Sequence, residues 1–153
     1  MSSVKELRAE LRASDPIYQR YESIVQQREK DSKSPQAMVN EASSLHAGRK
    51  SRLLYDKRVD PKSLLDALLE DLSIRSRLVE LKVTLMDRRE LVDTIQSALR
   101  SHVKSKYREW LSELGSTQAD RNAALDRLTS KSQELLSLYD NCLSILDTLI
   151  KDV

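Results

Sequence analysis

The chain has 153 residues, of which 39% are hydrophobic and 33% charged, with two glycines, three prolines and no phenylalanine. So few turn formers leave little to punctuate a β-sheet, and 26 Lys and Arg against 24 Asp and Glu exclude a protein that coats nucleic acid by bulk charge. The lone cysteine, Cys142, excludes an intrachain disulfide and a cysteine-built zinc site, and fits an intracellular, reducing compartment.

The composition predicts an all-α, elongated helical bundle or coiled-coil hairpin, in which leucine seams between helices or between chains do the work of a thick aromatic core. The N-terminus, MSSVKELRAELRA, lacks the apolar stretch of a signal peptide. The most apolar segment, Leu135 to Ile150, is interrupted by Asp140, Asn141 and Asp147, so no membrane span is expected.

Ser3 to Glu6 reads as a capping box, opening a short helix to about Ala13. Asp15 before Pro16 restarts the helix, because the carboxylate caps free amides and proline is tolerated at the first helical position. Ile17, Tyr18, Tyr21, Ile24 and Val25 form its apolar stripe, and the polar stretch Gln26 to Pro35 predicts a loop. A thinner helical pattern, Met38, Ala42, Leu45, Leu53 and Leu54, follows to about Arg58, with Gly48 as its weak point.

Asp60 and Pro61 give the next start, after which neither Gly nor Pro occurs before Gly115. One long helix, Pro61 to Leu114, is therefore expected, roughly 80 Å if continuous. Leu81, Val92, Val103 and Leu114 recur every eleven residues along it, with Leu85, Leu99, Tyr107 and Trp110 between, a period that gives a nearly straight seam. Leu64, Leu68, Leu72, Val79, Val83 and Met86 make a second apolar face, the pattern of a helix sandwiched between neighbours.

Gly115 to Thr117 predicts a hairpin, with Gly115 as a left-handed cap and Ser116 or Thr117 as the next N-cap. Beyond it Leu125, Leu128, Ser132, Leu135, Tyr139, Cys142, Leu146, Leu149 and Val153 form a heptad seam that is still running at the last residue. Leu136, Leu138, Leu143, Ile145 and Ile150 widen that stripe beyond what two strands need, so three or more helices should meet there. The expected organisation is residues 1–60 as short helices carrying a basic segment, and 61–153 as a long hairpin turning at Gly115, in one continuous domain.

Little supports catalysis. Cys142 stands at a core position, where a thiol is desolvated, and His46 and His102 have no second histidine at metal-ligand spacing. Two glycines cannot build a phosphate loop, and no cofactor or small-molecule substrate is implied.

Basic groups are more informative. Arg49, Lys50, Arg52, Lys57, Arg58 and Lys62 cluster around Tyr55, but they spread over more than half the helical circumference and interleave with Leu53 and Leu54. They read equally as phosphate contacts or as a solvated helix end. Arg89, Arg100, Lys104 and Arg108 project within about 100° of one another, a sharper track for phosphates, with Asp93 interrupting it. Arg75 and Lys82 extend the line but share a face with Leu68, Leu72 and Val79, where they would snorkel at a helix interface. Tyr107 and Trp110 are placed for packing against the C-terminal helix, with stacking on bases as the alternative. Size and composition are similar to those of small helical ring-forming proteins of phage-type DNA recombination or packaging, and no motif extends that likeness to particular residues.

The expected function is a non-catalytic, self-assembling scaffold or adaptor acting through coiled-coil contacts with itself and with another protein. Its predicted interface is Leu64, Leu68, Leu72, Leu135, Tyr139, Leu146, Leu149 and Ile150. The alternative is an oligomeric DNA- or RNA-binding accessory factor using Arg49, Lys50, Arg52, Lys57, Arg58, Arg89, Arg100, Lys104 and Arg108.

Overall fold

The computed structural model describes residues 3–55 and 61–153, with residues 50–55 described as helix without their side chains. Among the described residues the protein is an all-α bundle: α1 (Val4–Ser14), α2 (Pro16–Glu29), α3 (Pro35–Tyr55), α4 (Pro61–Lys106), α5 (Arg108–Leu114), α6 (Gln118–Leu128) and α7 (Ser130–Lys151). The starts follow local chemistry. Ser3 Oγ accepts from the Glu6 amide, Ser34 Oγ from the Ala37 amide, and Thr117 Oγ1 from the Asp120 amide. Asp15 Oδ1 accepts from the amides of Ile17 and Tyr18, with Pro16 at the first helical position.

Two expected continuities are broken. The long helix ends at Lys106 because Tyr107 leaves helical geometry (φ −110°, ψ 35°), and α5 resumes one residue later. Beyond that step the buried residue is Leu111, while Trp110 and Leu114 are half-buried, so the eleven-residue seam holds only as far as Val103. The C-terminal helix is likewise divided at Thr129, whose Oγ1 donates back to the Leu125 carbonyl, a bond that bends helices. The loop after α2 is shorter than expected, since the helix runs to Glu29.

Gly115 does end α5, but for a reason other than a left-handed cap. Its backbone is extended (φ −169°), and a Cβ there would lie 2.3 Å from that of Asp120. Close approach to the first turn of α6 is what requires glycine.

The chain forms two compact units. One comprises residues 1–31 and 89–137, the other residues 32–88 and 138–153, so α4 and α7 each contribute to both. In the first unit the core is Leu7, Leu11, Tyr18, Tyr21 and Val25 with Val92, Leu99, Val103, Leu111, Leu125 and Leu128. In the second it is Met38, Val39 and Ala42 of α3, Ile74, Leu78, Leu81 and Leu85 of α4, and Tyr139, Cys142 and Leu146 of α7.

The heptad seam of the C-terminal segment is therefore occupied within the chain. Leu135, Tyr139 and Leu146, expected at an oligomer interface, are buried in these cores, and Leu149 and Ile150 are half-buried. The sequence pattern marks a helix that needs partners; it does not say that the partners are copies of the chain.

Candidate functional site

The second unit leaves one face of α4 uncovered. Leu64, Leu65, Leu68, Leu69 and Leu72 are each more than half exposed, and Val79, Val83 and Met86 are 40–49% exposed. This is the second apolar face of the sequence, but no helix among the described residues sandwiches it. On the order of 700 Å² of apolar side chain is involved, more than the largest patch of a typical monomer.

The exposed residues have a period. Leu65, Leu69, Leu72, Ser76, Val79, Val83 and Met86 follow 4,3 spacing, the a and d positions of three heptads over about 32 Å. Ile74, Leu78, Leu81 and Leu85, buried against α3 and α7, fall at the opposite c and f positions. Every e position is small polar or acidic: Asp66, Ser73, Glu80 and Asp87. The g positions of the same stretch are Leu68, Arg75 and Lys82. The acidic and basic edges thus run along opposite sides of the stripe.

Several cations of this unit are held by carboxylates. Glu41 accepts from Arg77 through both oxygens at 3.1 Å and from Lys33 at 3.0 Å, and the Arg77 bonds come first in holding its carboxyl below the ordinary range. Lys82 lies 2.6 Å from Asp147. Arg49 pairs with Asp71 at 2.9 Å and donates to the Asp152 carbonyl, and His46 meets the Asp152 carboxylate at 2.6 Å. Arg49 is accordingly committed inside the chain. The side chains of Lys50 and Arg52, and all of Lys57 and Arg58, lie outside the described residues.

In the first unit a buried carboxylate organises the break in α4. Asp15 is fully buried; Oδ1 caps α2, while Oδ2 accepts from Tyr107 Oη at 2.8 Å and sits 2.6 Å from His102 Nε2. Burial alone pushes this carboxyl up, but the His102 bond, the Tyr18 amide and Tyr107 outweigh it and bring it down to about 2. Burial, then the bond to Asp15, raises the Tyr107 hydroxyl to about 12. Tyr107 therefore anchors to the α1–α2 corner, not to the C-terminal helix, a link that no local pattern in the sequence encodes. Tyr21 Oη similarly donates to Ser132 Oγ at 2.8 Å, satisfying the one polar residue of the heptad seam. Tyr18 and Tyr21 are buried, their rings 5.8 Å apart, so neither offers a free anchoring face.

The expected phosphate track is only partly assembled. Arg100 pairs with Asp126 at 2.8 Å and donates to Thr129 Oγ1, and Arg89 also has an interaction. Lys104 and Arg108 are exposed, and neither side chain has an ion-pair partner among the described residues. A cleft of about 190 Å³ beside Tyr18 and Tyr21 holds Arg8, Arg12, Glu22 and Lys131, but there Glu22 takes up Arg12 at 3.0 Å.

Cys142 is buried, and burial pushes its thiol above the ordinary range. No group of three metal-ligating side chains occurs among the described residues, and none of their helices is long and apolar enough to cross a membrane. No family model, curated protein or solved structure matches the chain.

Proposed function

We propose that the protein is a non-catalytic scaffold that self-assembles by pairing the outer face of α4, residues 65–86, with the same face of a second copy in a parallel, in-register coiled coil. The observation that carries this reading is the exposed heptad stripe, left uncovered by the described residues. Its area approaches the roughly 800 Å² that each partner contributes to a stable interface.

The charged edges favour a second copy and set the direction. In a parallel pair each g residue faces the e residue five positions on in the other helix, which matches Arg75 with Glu80 and sets Lys82, held by Asp147 of its own chain, opposite Asp87. An antiparallel pair brings e against e and g against g, setting Asp66 near Asp87 and Arg75 near its own copy. Each exposed pair is worth only about 0.3–0.5 kcal/mol, so the edges select orientation while the leucines supply affinity. Ser76 at an a position weakens the seam and penalises shifted registers that would oppose it to leucine.

Because the stripe is exposed in the single chain, Leu72→Glu with Val79→Glu can break pairing without touching the core. Light scattering coupled to size exclusion should give an oligomer for the parent and a monomer of equal helicity for the double variant. A parent that runs as a monomer, or a variant with unchanged mass, contradicts the proposal.

A further inference from the structure

The basic track that scaffold function does not use leads to a cleft of about 170 Å³ in the first unit, lined by Lys104, Arg108, Leu111, Gln118, Arg121, Asn122 and Leu125. Three cations and two side-chain amides surround it, and no carboxylate does. Elsewhere Arg12, Arg28, Arg49, Arg77, Lys82 and Arg100 each sit on an acid. Lys104 and Arg108 have no acidic partner among the described residues, and Arg121 donates only to the Thr117 carbonyl, at 3.3 Å. The floor is Leu111 and Leu125, both buried, and such an apolar backing strengthens the field of the cations above it.

We infer that this cleft binds the phosphates of a nucleic-acid strand. Lys104 supplies a point charge, and the fork of Arg108 suits two oxygens of one phosphate. Gln118 and Asn122 carry amide donors for phosphate or sugar oxygens. The start of α6, at Gln118, adds the positive end of a helix dipole to the same rim.

A polymeric anion fits better than a single phosphate. Lys104 and Arg108 stand four residues apart, about 6 Å along the chain axis, and Arg121 shares their cleft, so the three cations suit adjacent phosphates of one strand. No aromatic ring lines the cleft, so the contact reads backbone and not base sequence. The inference stands apart from self-assembly, although pairing would double the number of clefts on one strand.

The test is fluorescence anisotropy of a labelled single-stranded oligodeoxythymidine titrated with the full chain across a salt series. A variant with Lys104, Arg108 and Arg121 all changed to Gln should bind at least about tenfold more weakly, and its log–log salt slope should flatten by about 2, from about 0.7 per phosphate contact. A control with Lys5, Arg20 and Lys30 changed to Gln carries the same charge change and should bind nearly as the parent does. Circular dichroism and the melting curve establish that the variants fold alike.

No binding by the parent at low salt overturns the inference, and so does equal weakening in the control, which would make the attraction one of overall charge. Inorganic phosphate binding without oligonucleotide binding, or an aspartate-rich peptide binding as tightly as the oligonucleotide, overturns it as well.

Discussion

In the first unit Asp15, Thr129 and Ser132 are buried polar groups, each tied by hydrogen bonds to neighbouring elements; in the second, leucines at 64, 65, 68, 69 and 72 stand in solvent. Polar groups inside are costly unless satisfied, and satisfying them fixes a unique arrangement. Apolar groups outside gain by being covered, and here none of the described residues covers them. One helix, α4, meets both conditions: its C-terminal part is locked to the α1–α2 corner through His102, and its N-terminal part is buried on one side and bare on the other. Burial of a seam and assembly through a seam are thus separate properties of one helix.

The sharpest way to break that contrast is to place a charge on each kind of seam. Leu146→Asp puts a carboxylate into the fully buried core of the second unit and should cost more than about 4 kcal/mol, unfolding that unit in a denaturant titration. Leu72→Glu, on the bare face, should leave the denaturation midpoint of the monomer within about 0.5 kcal/mol of the parent while lowering its mass in solution.

Next in size is the Asp15 cluster. Asp15→Ala removes the cap of α2 and leaves His102 and Tyr107 without their acceptor, an expected loss of about 3 kcal/mol; Asp15→Asn, which keeps a capping oxygen, should lose less. The parent should show the same interaction in its pH dependence. A carboxyl near 4 when unfolded and about 2 when folded contributes stability that is complete above about pH 4 and disappears as pH falls toward 2. The contribution is about 2 kcal/mol and should be missing from the acid limb of Asp15→Asn melts.

The smallest expected effects concern the glycines, and they have opposite signs. Gly115→Ala forces a Cβ against Asp120 and should destabilise by about 1–3 kcal/mol. At Gly48 a Cβ would meet no described atom within 4 Å beyond its own helix backbone and chain neighbours, so Gly48→Ala in the middle of α3 should stabilise by about 0.5–1 kcal/mol in thermal melts.

Much of the fold was legible because helix starts are local events: Ser3, Asp15, Ser34 and Thr117 all cap where their spacing indicates. The heptad run from Leu125 to Leu146 also identified buried positions correctly. The breaks at Tyr107 and Thr129 were not legible. The first accompanies a tyrosine bond to a carboxylate 92 residues away, and the second a threonine bond to its own helix.

Periodicity could not tell which of two apolar faces of α4 the chain itself would cover, since both repeat at helical spacing. The e and g charges beside Leu65 to Met86 were present in the sequence, but they acquire meaning only once the c and f face is known to be buried. Arg121, Gln118 and Asn122 carried no signal either; they join Lys104 and Arg108 only through the turn at Gly115.

Disulfide trapping on the bare face of α4 tests the central claim most directly. With Cys142→Ala as background, Leu69→Cys and Val83→Cys each place one thiol at an a position. In a parallel, in-register pair each variant alone should oxidise to a covalent dimer, and mixing the two should give no covalent heterodimer, because positions 69 and 83 lie about 21 Å apart along the pair. Cross-links that form only when the two variants are mixed, or none with either, would contradict parallel self-assembly through this face.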